Sequence, residues 1–309
     1  MRQRWLELIA SVLTLITASY EWNSHSLNVS LPILVDASYQ QSFEKWKSDL
    51  IEDRKENWLP LAGLFWLKAG DNTFGTVPGN DVVFPSGPKR AGVFARNGKQ
   101  VVVKVAPGVG ATIAGKPVTE ATLEPDSSET PTIVEMGRLR FQLIVRGERV
   151  GIRLKDLQNH AVRRYRPPEF FPLDLNYRVT AKWEPANGNQ RVDVPNVLGD
   201  ITPTPVPGFA DFRLNGQEYR LAALEEGDKE KKLFFIFGDP TNKSLTYHAG
   251  RFLKADPATN GTVVLDFNRA YNPPCAFTPY ATCPLSPKEN HLTAAIAAGE
   301  KYDHKVDRH

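Results

Sequence analysis

The chain has 309 residues, 41% hydrophobic and 24% charged, with 38 basic against 35 acidic side chains and a net charge of +3. That is enough chain, of ordinary globular composition, for one large domain or two small ones. The near-balance of charge excludes the basic footprint of a nucleic-acid binder or of a protein held electrostatically on an anionic membrane.

Residues 1–20 open on "MRQRW", run through the apolar "LELIASVLTLITAS" and reach small residues at Ala18–Ser19. This is the three-part pattern of a signal peptide, with Glu7 as a departure from it. It predicts a periplasmic or secreted protein; the alternative is a cytoplasmic chain with an N-terminal extension. The apolar run is shorter than the ~20 residues of a spanning helix, so no integral membrane segment is expected beyond it. Within residues 21–58, Phe43, Trp46, Leu50 and Ile51 fall at helical spacing in an otherwise charged stretch. They predict an amphipathic helix covering a sheet.

From 59 to 156 the pattern changes to short apolar runs split by turn residues. Strands are expected at 81–84, 91–96, 100–105 and 111–114, with a hairpin at Asn97-Gly98. The segment "RLRFQLIV" alternates with the period of a half-buried strand. Many closely spaced strands predict a β-sandwich. Residues 157–176, rich in proline, arginine and aromatics, read as a linker, although Arg163, Arg164, Tyr165 and Arg166 there form a possible anion site.

Residues 177–302 return to strands, with turns at Asn187-Gly188 and Asn215-Gly216, and predict an antiparallel sheet or small barrel. "KKLFFIF" reads as a strand buried on both faces. "PKENHLTAAIAAGEKY" predicts a C-terminal helix between Pro287 and Gly299, and residues 303–309 a frayed tail. The fold class is therefore all-β, a sandwich packed on an antiparallel sheet or barrel, with one helix at each end.

Several segments carry a family resemblance: "WLPLAGLFWLKAGDNTFG", "NDVVFP", "RGERVGIRLKD", "GRFL" and "LDFNRAYNPPCAFTPYATCPLSPKENHL" followed by "AGEKY". From Trp46 to Tyr302 the chain resembles the bacterial and archaeal domain of unknown function 1684 family. Ser286 is a departure, standing where the family pattern has proline. The resemblance implies a β-rich fold and brings no catalytic residue with it. Residues 70–156 are more weakly similar to forkhead-associated sandwiches. The phosphothreonine-reading Ser-Arg-x-x-His signature is absent after Phe84, where "SGPKRAGVF" stands with Arg90 as its anion-facing candidate.

The C-terminal segment concentrates the candidate chemistry. Asn272 to Lys288 holds five prolines and both cysteines. Proline blocks helix and central strand, so this is a stiff loop. Cys275 and Cys283 are candidates for a disulfide in an oxidising compartment. Cys275 is also a candidate nucleophile, with His248 or His291 as its base and Arg251 or Arg269 to favour the thiolate. Their spacing matches no compact zinc signature, and neither a metal nor a cofactor is expected. Alternation along "TYHAGRFL" and "VVLDFNRAYN" suggests an Arg251–Asp266 pair. Arg251, Asp266, Asn268 and Tyr280 are the candidate binding residues around the loop. The sequence reading favours a binding or scaffold protein for an unknown small molecule or envelope component. A Cys275-dependent hydrolase or transferase is the alternative.

Overall fold

Asp36 begins the first helix, α1 (Ala37–Asp53), by accepting a hydrogen bond from the Ser38 amide in the computed structural model, which describes residues 36–225 and 232–304. The signal peptide expected at 1–20, residues 226–231 and the part of the expected tail after 304 lie outside the described residues. The predicted apolar stripe forms, with Phe43 buried and Trp46 edge-on to Phe170. A wider turn over Arg54–Trp58 follows and carries Arg54 inward.

Eleven strands build the first half. They are β1 (Leu61–Trp66), β2 (Gly70–Gly75), β3 (Val82–Val83), β4 (Gly92–Asn97), β5 (Gln100–Val105), β6 (Thr112–Ile113), β7 (Lys116–Pro117), β8 (Glu120–Thr122), β9 (Ile133–Met136), β10 (Leu139–Arg146) and β11 (Arg149–Asp156). One sheet has the order β1-β11-β10-β9-β6-β7 and the other β3-β2-β4-β5-β8. The alternation in 139–156 decides which side chains meet between them. Leu139, Phe141, Leu143, Val150, Ile152 and Leu154 point into a core shared with Phe74, Phe94, Val101 and Val103. Phe74 stacks on Phe94 at 4.1 Å, and Phe141 closes on Phe94 edge-on. Gly92 permits the tight sheet, since a Cβ there would lie 2.1 Å from the Lys104 carbonyl oxygen. The predicted sandwich is present.

Residues 157–176, expected as a linker, are partly packed on the domain. They contain a short helix, α2 (His160–Arg164), and two aromatic anchors. Tyr165 accepts a hydrogen bond from Arg54 at 3.1 Å and packs on Phe277, while Phe170 packs on α1. Arg163, Arg164 and Arg166 stay exposed.

The second half comprises β12 (Arg178–Pro185), β13 (Arg191–Pro195), β14 (Ile201–Pro205), β15 (Gly208–Leu214), β16 (Gln217–Ala222), β17 (Leu233–Phe237), β18 (Arg251–Ala255) and β19 (Thr262–Asp266). Its antiparallel ladders run β16-β15-β12-β19, β13-β14 and β17-β18, so among the described residues the sheets are open and no barrel closes. Asn215-Gly216 makes the β15–β16 turn with both residues at positive φ, as that dipeptide favours. Strand β17 is buried on both faces: Phe235 and Phe237 enter one core, Phe234 and Ile236 another.

The expected C-terminal helix does not form. Apart from one 3-10 turn at Lys288–Asn290, residues 288–303 run without helix. Tertiary bonds override the local helix preference. The Leu292 amide donates to the Gly238 carbonyl, the Ile296 amide to Asp239, and Arg251 holds the Ile296 and Ala298 carbonyls. Gly299, expected as a helix stop, instead passes so close to the Ala270 carbonyl oxygen that a Cβ would sit 2.5 Å from it. No helix among the described residues is long and apolar enough to cross a membrane. The described residues of both halves belong to one compact unit.

Candidate functional site: a cleft under the proline-cysteine loop

Alternation along β10 and β11 leaves a second, outward row of side chains on the six-stranded sheet. Arg140 stands opposite Lys155, Gln142 opposite Arg153, and Arg146 opposite Arg149. The proline-cysteine loop crosses this face. The Thr282 hydroxyl accepts from Arg146 Nε at 3.1 Å and from Arg153 Nη2 at 2.9 Å, which ties the loop to both strands. The Leu285 amide donates to the Pro195 carbonyl at 2.7 Å, and the Val197 amide to the Cys283 carbonyl at 3.1 Å. At the other end, the Asn272 amide donates to Glu300 at 2.7 Å. Phe277 fills the space between Trp58 and Tyr165, with the Arg54 guanidinium 4.3 Å above its ring.

Between loop and sheet lies a cleft of about 750 Å³. That is the size of a site for a small organic molecule. Trp58, Phe252, Pro274 and Ala281 give it apolar walls, while Arg140, Arg153 and Lys155 supply positive charge and Glu56 and Glu135 negative. Arg140 pairs with Glu135 at 3.2 Å. Arg153 lies 3.8 Å from Asp126, but Arg146 already holds both oxygens of that carboxylate, at 3.0 and 2.6 Å. Lys155 bonds to the Asn57 side chain and the Glu56 carbonyl rather than to a carboxylate. Burial, aided for Arg153 by the nearby Arg146, works against both charges and lowers both pKa values.

Cys283 lines this cleft and Cys275 lies beside it; both are free thiols, and no bridge joins them. The Cys275 amide donates to Cys283 Sγ at 3.1 Å, so packing and hydrogen bonds hold the loop without a disulfide. Hydrogen bonds from the Cys283 and Tyr247 side chains hold the Cys275 thiol below its ordinary pKa. Burial pushes Cys283 well above it. The partners of the Cys275 side chain are thus Cys283 and Tyr247, not a histidine. His248 and His291 are exposed and line a separate cleft of about 850 Å³ together with His304. Burial, then the His304 charge, lowers the His248 pKa.

The Arg251–Asp266 pair does not exist. Strand β18 pairs with β17, and β19 with β12, so the two side chains never become cross-strand neighbours. Arg251 is wholly buried and bound to Asp239 at 2.7 Å, which removes it from any ligand surface. Asp266 accepts from the Tyr39 hydroxyl at 3.0 Å and faces Arg269 at 3.4 Å, beside α1. Asn268 bonds the backbone of Asp174, not the proline loop. Tyr280 lines a smaller cleft on the far side of the loop with Arg138 and Asp156. Among the described residues, no group of three or more His, Cys, Asp or Glu side chains is placed to hold a metal ion.

Sequence reasoning missed Arg153, Lys155 and Thr282. The signal was present in "ERVGIRLKD", where Arg149, Arg153 and Lys155 share the face opposite Val150, Ile152 and Leu154.

Fold and cleft together define an all-β protein with a stiff loop closing a pocket on a sandwich face. Residues 163–301 match the family model described as protein of unknown function (DUF1684). The chain is 31% identical to the uncharacterized protein from gene locus rrnAC0354 of Haloarcula marismortui, known from a solution NMR structure. That match covers 45% of this chain and 78% of the other with a TM-score of 0.39. The FhaA FHA domain, in its crystal structure with the intracellular domain of Rv3910, aligns at 16% identity over 30% of this chain and 97% of that one, with a TM-score of 0.22. No curated protein matches the chain.

Proposed function

We propose that the protein binds a small molecule, free or as part of an envelope component, in the cleft between the proline-cysteine loop and the outward face of β10 and β11. The observation that carries this reading is the joining of loop and sheet through Thr282, which both Arg146 and Arg153 bond, beside an open space of about 750 Å³. A pocket with fixed walls loses little conformational entropy when it is filled, and so spends its contacts on affinity. Chemistry at Cys275 has less support, because that thiol is 8% exposed and its side-chain partners are another thiol and a tyrosine.

A fragment screen followed by amide NMR tests the reading. Hits are expected to shift the amides of Trp58, Gln142, Arg153 and Thr282. Gln142→Trp, which places a ring in the cleft from the middle of β10, is expected to abolish them while leaving the circular dichroism spectrum unchanged. Hits that gather elsewhere, or that survive Gln142→Trp in full, contradict the assignment.

A further inference from the structure

We infer that the ligand carries an anionic head group, a carboxylate or a phosphate monoester, which docks between Arg153 and Lys155 while its apolar body lies against Trp58, Phe252 and Pro274. This rests on the small-molecule reading above and names the class of ligand.

The charge arrangement is the reason. Arg140 and Lys155 are directly opposed across β10 and β11, and so are Arg146 and Arg149. Like charges facing one another across a ladder destabilise a sheet. A sheet face that existed only to be packed or solvated would gain by avoiding both pairs. Local rules are broken in this way chiefly at functional sites. Arg149 has its own partner in Asp200 at 3.4 Å, but within the cleft Arg140, Arg153 and Lys155 face only Glu56 and Glu135. Glu135 is taken by Arg140, and Asp126 is held at both oxygens by Arg146 before Arg153 reaches it at 3.8 Å. The Glu56 and Asp53 carboxylates act on Lys155 only at longer range, and its bonds go to Asn57 Oδ1 and the Glu56 carbonyl.

Arg153 and Lys155 are two residues apart on one face of β11, a separation of about 7 Å along the strand. One head group with two or three oxygens spans that gap, with a charge-assisted hydrogen bond of about 2.8 Å to each side. Arginine supplies the planar fork and lysine the compact charge. Because both cations are drawn partly out of water, an anion set between them is attracted more strongly than at an open surface.

The test uses three probes with the same aromatic ring: phenyl phosphate, phenylacetate and benzyl alcohol, each titrated into the full chain at constant ionic strength and followed by amide NMR. At least one of the two anions is expected to bind about tenfold more tightly than the alcohol, equivalent to about 1.4 kcal/mol. Its shifts are expected at Trp58, Arg153, Lys155 and Thr282. The double variant Arg153→Gln, Lys155→Gln is expected to bring it to within about twofold of the alcohol, while Arg213→Gln, an exposed change on β15, leaves the preference intact. A preference for phenyl phosphate alone identifies a phosphate monoester; equal binding of both anions identifies the shared charge as the determinant. Alcohol and anions binding alike in the cleft would overturn the anionic class and leave the small-molecule reading standing. No shift at the cleft with any of the three, together with an empty fragment screen, would overturn both.

Discussion

Replacing Glu300 by alanine is expected to cost about 3–5 kcal/mol of folding stability, read as a lower midpoint in urea. Glu300 and Arg54 are both fully buried and meet as a two-pronged pair at 2.5 and 2.7 Å. The same carboxylate accepts the Asn272 amide at 2.7 Å. It therefore ties the turn after α1 to the first residue of the proline-cysteine loop. Truncation leaves a guanidinium charge and an amide without their acceptor inside the protein, and that uncompensated burial dominates the cost. Arg54 cannot shed its charge to relieve it. Removing both charges together, as Arg54→Met with Glu300→Met, is expected to recover a large part of the loss, because the desolvation of two ions disappears with their attraction. The exposed Lys45–Asp49 pair on α1 is the contrast, where Asp49→Ala is expected to change stability by no more than about 0.5 kcal/mol. Equal effects of Glu300→Ala and Asp49→Ala would show that the buried pair does not hold the loop.

Arg251→Met is expected to be at least as damaging, again by about 3–5 kcal/mol. Arg251 donates to the Asp239 carboxylate at 2.7 Å and to the carbonyls of Ile296 and Ala298, and its guanidinium lies 5.0 Å from the Phe237 ring. No single replacement satisfies a carboxylate and two carbonyls from one position. The loss falls on the segment that sequence propensity would have made helical. Besides the lower urea midpoint, early hydrogen exchange at the Ile296 amide is expected, since its acceptor, Asp239, loses its partner. Asp239→Asn keeps the shape and removes the charge, and is expected to lie between wild type and Arg251→Met. A variant Arg251→Met that keeps the wild-type midpoint would contradict the clamp.

The difference between what was legible in the sequence and what was not follows the range of the interactions. Period-2 alternation fixed the inward set Leu139, Phe141 and Leu143, and the apolar run at 233–237 announced a strand buried on both faces. The Asn-Gly turn at 215–216 acted through its own backbone preference, as local signals do. The stiff loop at 272–288 was readable from its prolines. The site itself was not, because it depends on which strands become neighbours. Arg251 and Asp266 lie on consecutive strands and looked paired, yet β17 and β12 took their places as partners. The helix expected after Pro287 lost to Asp239, Gly238 and Arg251, contacts from 40 to 60 residues away in the chain that no local pattern reports. Arg153 and Lys155 stood in plain view as an outward row, but their importance appears only when the loop is laid across them.

A loop that forms a fixed wall of the cleft protects its backbone amides, so hydrogen exchange along 274–286 is the measurement to make. The Leu285 amide, bonded to Pro195, and those of Cys275 and Phe277, bonded within the loop, are expected to exchange as slowly as the ladder amides of β10 and β11. Exchange of these three at the rate of an unstructured peptide would contradict the account.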